Sequence, residues 1–109
     1  MELLKKLTQI TSPSGNEKSI CDFIENEIKG YVDEVYRDNL GNLIAHKKGA
    51  GPRVMFDTHT DEIGIIAMFI EDSGYIRFTN LGGVSPYNAL YQRVRFINGV
   101  EGVVRRNSA

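Results

Sequence analysis

The run Asp57-Thr58-His59-Thr60-Asp61-Glu62-Ile63-Gly64 gathers the residue types that can do chemistry. A neutral imidazole binds a divalent transition metal well, and a carboxylate beside it fixes the ring's tautomer and raises its basicity. His59 and Asp61 stand two residues apart and suit those two parts. One ligand does not make a site, because a catalytic zinc is held by about three protein ligands plus water. The second histidine, His46, lies on a Lys-rich strand pattern and reads as exposed. On these residues alone two readings stand: a metal ligand with its orienting carboxylate, or a hydrogen-bonded polar cluster at the end of a strand.

The elements around this run should position it. Val54-Met55-Phe56 is apolar and leads straight into Asp57, so Arg53 to Phe56 reads as a central strand that delivers functional groups at its carboxyl end. Upstream, Leu3, Leu4, Leu7 and Ile10 have helical spacing, which Thr11-Ser12-Pro13-Ser14-Gly15 ends. Ser14 and Glu17 have the form of a capping box, and Ile20, Phe23, Ile24 and Ile28 make an apolar stripe that should pack on a sheet until Lys29-Gly30 closes the helix. Val32 to Tyr36 and Asn42 to His46 flank Asp38-Asn39-Leu40-Gly41 as a hairpin.

Beyond Gly64 the pattern becomes a meander of Ile65 to Ile70, Tyr75 to Asn80, Gln92 to Phe96 and Val100 to Arg105. Asn98-Gly99 is a hairpin signal, since both residues tolerate positive φ. The run Arg105-Arg106-Asn107-Ser108-Ala109 carries no pattern for a closing helix or strand. The expected fold class is therefore α/β, with residues 1–66 as one α/β region and a candidate boundary near residues 64–68. Residues 67–109 are expected to form part of a small antiparallel barrel-like domain.

Composition narrows the function. The chain has 109 residues with 41% hydrophobic content, enough for a packed core. Thirteen basic against 14 acidic residues give a net charge of -1, which supplies no basic stripe for nucleic acid. No apolar run reaches membrane-spanning length, and a lone Cys21 forms no internal disulfide, so a cytoplasmic protein without membrane partners is expected. Cys21 reads as a buried structural thiol. Gly82-Gly83 lacks the spacing of a phosphate-binding loop and reads as a tight connection. Tyr75, Phe78, Tyr87, Tyr91 and Phe96 read as core or subunit-interface residues, and Arg93, Arg95, Arg105 and Arg106 as solvated strand faces.

Four stretches in order carry a resemblance. Ser12-Pro13-Ser14-Gly15-Asn16-Glu17 resembles a Gly/Pro-Ser-Gly-x-Glu opening. Asp38-Asn39-Leu40-Gly41-Asn42-Leu43-Ile44-Ala45 is close to Asp-x-Leu-Gly-Asn-Leu-Ile-Ala. His59-Thr60-Asp61-Glu62-Ile63-Gly64 matches His-Met-Asp-Glu-Ile/Val-Gly, and Phe78-Thr79-Asn80-Leu81-Gly82-Gly83-Val84 matches a stretch ending in Gly-Gly-Val. Together they make the sequence resemble the amino-terminal part of the M42 metallo-aminopeptidases, the family of glutamyl and deblocking aminopeptidases, some of them labelled endoglucanase.

That resemblance implies a peptidase that removes amino-terminal residues from peptides through water activated by two divalent ions, zinc or cobalt, in a homo-oligomer. It also implies that residues 1–66 are the amino-terminal part of a metallopeptidase-type α/β catalytic domain and 67–109 part of an inserted β-barrel and oligomerisation domain. By motif position, His59 resembles a terminal metal ligand and Asp61 the catalytic-site carboxylate that orients it; Glu62 resembles a supporting residue. Thr60 replaces the commoner Met, and Asp57 stands where small residues are frequent. The family's remaining carboxylate ligands, general base and second histidine are expected downstream of this segment, which resembles roughly the opening third of such a protein. By itself the segment is expected to be inactive. Other readings are a non-catalytic binding or assembly module, and a polysaccharide hydrolase, for which no acid and nucleophile pair stands out.

Overall fold

In the computed structural model, residues 1–106 are described. The helical spacing near the amino terminus gives α1 (Glu2–Leu7), and the Ile20 stripe gives α2 (Lys18–Ile28). The hairpin expected around Asp38 is present as β1 (Glu34–Arg37) and β2 (Leu43–His46), antiparallel with Glu34 opposite His46 and Arg37 opposite Leu43. Its turn is tied by the Asp38 carboxylate, whose Oδ1 accepts from the N–H groups of Leu40 and Asn42 at 2.9 Å each. Gly41 completes the reversal at φ +90°, where a side chain would be strained.

α2 packs on β2, as its apolar stripe requires, with Ile20 and Cys21 buried. An ionic clamp joins the helix to the hairpin: the Arg37 guanidinium reaches Asp22 at 2.6 Å and Glu25 at 2.8 Å. Lys18 adds an i,i+4 pair to Asp22 at 2.6 Å. These partners hold the Asp22 carboxyl below its ordinary value, the Lys18 hydrogen bond first and the Arg37 hydrogen bond second.

The chain divides into two compact units, Met1–Asp61 and Glu62–Ala109. In the second, β3 (Gly64–Ile70) pairs antiparallel with β4 (Ile76–Leu81) across a turn closed by Gly74 at φ +85°. Its register steps from Ala67 opposite Phe78 to Phe69 opposite Arg77, so Met68 is the extra residue of a β-bulge. Glu71 and Arg77 form an ion pair beside the turn. A short helix α3 (Pro86–Ala89) follows, then β5 (Arg93–Arg95) and β6 (Glu101–Val103), again antiparallel. In their connection only Gly99 takes positive φ (+88°), while Asn98 accepts a hydrogen bond from the Val100 N–H at 3.1 Å. Arg105 lies over the Tyr75 ring, 4.9 Å from its centroid, and donates to the Tyr75 hydroxyl at 2.6 Å.

The α/β reading agrees with these helices and small antiparallel sheets, but the expected barrel is not there. The described strands form three separate two-stranded sheets, β1-β2, β3-β4 and β5-β6. A barrel needs one hydrogen-bond ladder running continuously round all its strands. Here the ladder is interrupted after Leu81 by Gly82, Gly83 and α3, and it resumes in strands of only three residues. The expected central strand at Arg53 to Phe56 is also absent. Those residues lie in no strand, and Val54, Met55 and Phe56 are 72%, 87% and 94% exposed. The expectation for Asn107, Ser108 and Ala109 lies outside the described residues.

Candidate functional site

Arg53 to Phe56 forms no strand, and two side-chain hydrogen bonds help to position the segment that follows. Ser12, only 3% exposed, donates its hydroxyl to the Thr60 carbonyl at 3.1 Å. Two residues on, the Ser14 hydroxyl donates to Asp61 Oδ2 at 2.5 Å. The turn that offers these two serines is itself tied: the Asn16 N–H donates to the Pro13 carbonyl at 2.8 Å, and the Gly15 N–H to Glu17 Oε1 at 2.6 Å. Gly15 sits at φ +87°.

The expected capping box therefore takes a different form. α2 is capped at Glu17, with no side-chain cap hydrogen bond. The Glu17 carboxylate does reach back to a backbone N–H, that of Gly15, while the Ser14 hydroxyl goes to Asp61 instead of to a helix N–H.

The structure brings His59 and Asp61 together. His59 Nδ1 lies 3.0 Å from Asp61 Oδ1 and 3.2 Å from the Asp61 carbonyl oxygen. Both neighbours are acceptors when the carboxylate is ionised, so the ring proton belongs on Nδ1 and the lone pair on Nε2. The Ser14 hydroxyl, and after it the His59 hydrogen bond, hold the Asp61 carboxyl below its ordinary value, so it is ionised at neutral pH and stays so further into the acid range. The His59 side chain is 85% exposed, and Asp61 is half-buried. An exposed imidazole whose Nδ1 is fixed by a carboxylate has the donor set of a metal-bound histidine. Among the described residues there is no group of three or more His, Cys, Asp and Glu that could hold an ion.

The other candidates are elsewhere. Asp57 and Thr58 are exposed, and Glu62 opens the second unit, also exposed. His46 is at the surface, 3.7 Å from Glu34 Oε2 across the β1-β2 hairpin. Cys21 is a free thiol on the buried face of α2.

Residues 41–108 match the family model described as M42 glutamyl aminopeptidase. The chain belongs to that family. A relative from Acetivibrio thermocellus is 52% identical over 103 residues, covering 94% of this chain and 31% of its own. The lysyl aminopeptidase of Pyrococcus furiosus is 40% identical over 110 residues, covering 94% of this chain and 32% of its own. Among solved structures, the Pyrococcus horikoshii TET1 peptidase superposes with a TM-score of 0.81 at 35% identity, over 99% of this chain and 33% of that one. The chain thus spans about a third of the length of the relatives it matches.

Within this M42 segment, the sequence pattern singles out His59 and Asp61 as candidates but not the contacts of Ser12 and Ser14 with Thr60 and Asp61. Ser14 and Asp61 are 47 residues apart in the chain, and Ser12 and Thr60 are 48 apart. No local periodicity reports such a pairing. The available signal was that Ser12 and Ser14 sit in a turn beside a proline and a glycine, where hydroxyls are free of helix and strand ladders.

Proposed function

We propose that the complete protein is a metal-dependent aminopeptidase in which His59, through Nε2, ligates one of two divalent ions and Asp61 positions its ring. The observation that carries this reading is the Asp61 carboxylate on His59 Nδ1 in an M42 segment. When bound, the pair of ions supplies the charge that makes water a nucleophile at neutral pH. The residues of this chain do the preparatory work. Asp61 keeps the ring proton on Nδ1, holds the imidazole in one orientation and makes Nε2 more basic.

The ions are read as zinc or cobalt, both of which accept imidazole and carboxylate ligands. The substrate class is the free amino terminus of peptides, in keeping with a relative named lysyl aminopeptidase. Self-assembly is read from the TET1 peptidase, whose structure is described as a tetrahedron or a large octahedral shell. Residues 1–66 are read as part of the catalytic domain and 67–109 as part of a segment serving oligomerisation. No helix among the described residues is long and apolar enough to cross a membrane. A cytoplasmic location suits the single buried Cys21.

The test uses the complete protein expressed from its natural gene. Its intact mass and metal content are measured first, then hydrolysis of a panel of aminoacyl anilides by the wild type and His59→Ala. Close to two metals per subunit in the wild type is expected, with a loss of metal and at least about a hundredfold fall in activity in the variant. Near-normal metal content and hydrolysis in His59→Ala would overturn the reading. A metal-free, inactive wild type would favour a binding or assembly module built on the same fold.

A further inference from the structure

We propose that Ser14 is a positioning residue for the site, acting through Asp61; this rests on the metal-ligand reading of His59 given above. A carboxylate is a poor lever unless its plane is fixed, because the Asp χ2 torsion is broad and roughly two-fold. Among side chains, His59 reaches only Oδ1, and one contact on one oxygen does little to fix the carboxylate plane. The Ser14 hydroxyl, donating to Oδ2 at 2.5 Å, supplies the second point of attachment. Each carboxylate oxygen then has its own side-chain donor, Ser14 on Oδ2 and His59 on Oδ1.

Ser14 can do this because it is itself held. It sits in the turn closed by the Asn16 and Gly15 N–H hydrogen bonds, with Gly15 in the left-handed region, and α2 starts without using its hydroxyl. Ser12, from the same turn, fixes the backbone next to Asp61 through the Thr60 carbonyl. One short loop thus grips both the main chain and the side chain of the site segment. The chain Ser14–Asp61–His59 transmits that grip to the imidazole whose Nε2 is left for the ion.

The experiment compares Ser14→Ala, Ser14→Cys and Ser14→Thr in the complete protein. Zinc affinity of the metal-free protein is measured by chelator competition, alongside kcat, KM and the thermal midpoint. Cysteine keeps the volume but is a weak donor, and threonine keeps the hydroxyl. The expected result is a weakening of zinc binding by about tenfold in the Ala and Cys variants, the low end of the range for a metal ligand's own hydrogen-bond partner, because Ser14 stands one contact further out. kcat should fall to a similar extent with KM within about twofold, and Thr should stay within about threefold of wild type.

Should Ser14→Ala fail to fold, the Cys variant decides the matter. Wild-type zinc affinity and kcat in a folded Ala or Cys variant would overturn the proposal, as would a Thr variant as impaired as Ala. His59→Ala separates the two levels. If it retains metal and activity, the metal-ligand reading falls and this one with it. If it loses both while Ser14→Ala and Ser14→Cys bind zinc normally, only the role of Ser14 falls.

Discussion

The segment Arg53–Asp61 and the β3-β4 hairpin are held in opposite ways. Residues 64–81 are fixed by backbone ladder hydrogen bonds, and large apolar side chains on that ladder stay exposed, Met68, Phe69 and Ile70 among them. Residues 53–61 lie in no strand, and two serine hydroxyls from a distant turn bond to the Thr60 carbonyl and the Asp61 carboxylate. A backbone ladder is indifferent to most side chains, because its hydrogen bonds come from groups every residue except proline has. A loop tied by side chains depends on a few particular atoms. Substitutions in the first region should therefore act on function through named contacts, and in the second on stability through backbone conformation.

The sharpest way to break this contrast is Asp61→Asn. The amide is isosteric; its oxygen can still accept from His59 Nδ1, and Ser14 can turn its hydroxyl to accept from the amide nitrogen. Hydrogen bonding survives while the negative charge that raises imidazole basicity is lost. A fall of about 10- to 100-fold in metal affinity is expected, with the thermal midpoint of the metal-free protein changed by no more than a few degrees. Isothermal titration with zinc and a melting curve on the same sample test both halves. A large loss of stability with unchanged affinity would show Asp61 to be a structural residue.

The converse prediction concerns Gly82, at φ +73°, where an added Cβ would lie 3.1 Å from Ile63 Cγ2. An L-residue in the left-handed region costs about 1–2 kcal/mol, so Gly82→Ala should lower stability by about that much while leaving metal affinity unchanged. Gly83 makes an internal control. It has no positive φ and nothing within 4 Å of a built Cβ, so Gly83→Ala should be close to neutral. Urea midpoints of the two variants decide the point, and equal midpoints would remove the backbone argument.

How much of this was legible in the sequence follows the same division. The α2 stripe, the Asp38 turn and the Asn98-Gly99 connection were readable because periodicity and turn chemistry are local. Even there the detail differed, since Asn98 acts through its side chain and only Gly99 adopts positive φ. α3 went unread although Ser85-Pro86 is a helix-start pair, with proline in the first turn. The strand at Arg53–Phe56 is expected from a short apolar run, and the barrel from a meander of strand patterns. An apolar run states that a segment can be a strand; a strand exists only where another edge pairs with it. The Ser14–Asp61 contact was illegible for a third reason, namely that its partners are 47 residues apart and neither residue type is unusual in its own place.

The smallest effect expected lies in the first unit but away from the site. Asp22 is held below its ordinary value by Lys18 and then Arg37, whereas in the unfolded chain it titrates at about 3.9. A carboxyl with a lowered folded value binds fewer protons in the native state, so its contribution is complete above about pH 4 and is lost as the pH falls through the lower, folded value. Asp22→Asn removes the titrating group. The gap between wild-type and variant thermal midpoints should be widest at neutral pH and close progressively below about pH 4. The gap should be narrow throughout, since the carboxylate is part-exposed and such pairs contribute little. A gap that stays constant from neutral to strongly acidic pH would mean that Asp22 acts through packing on the β1-β2 hairpin. The ionic clamp would then count as packing and not as charge pairing, in contrast to the directed hydrogen bonds from Ser12 and Ser14 to Thr60 and Asp61.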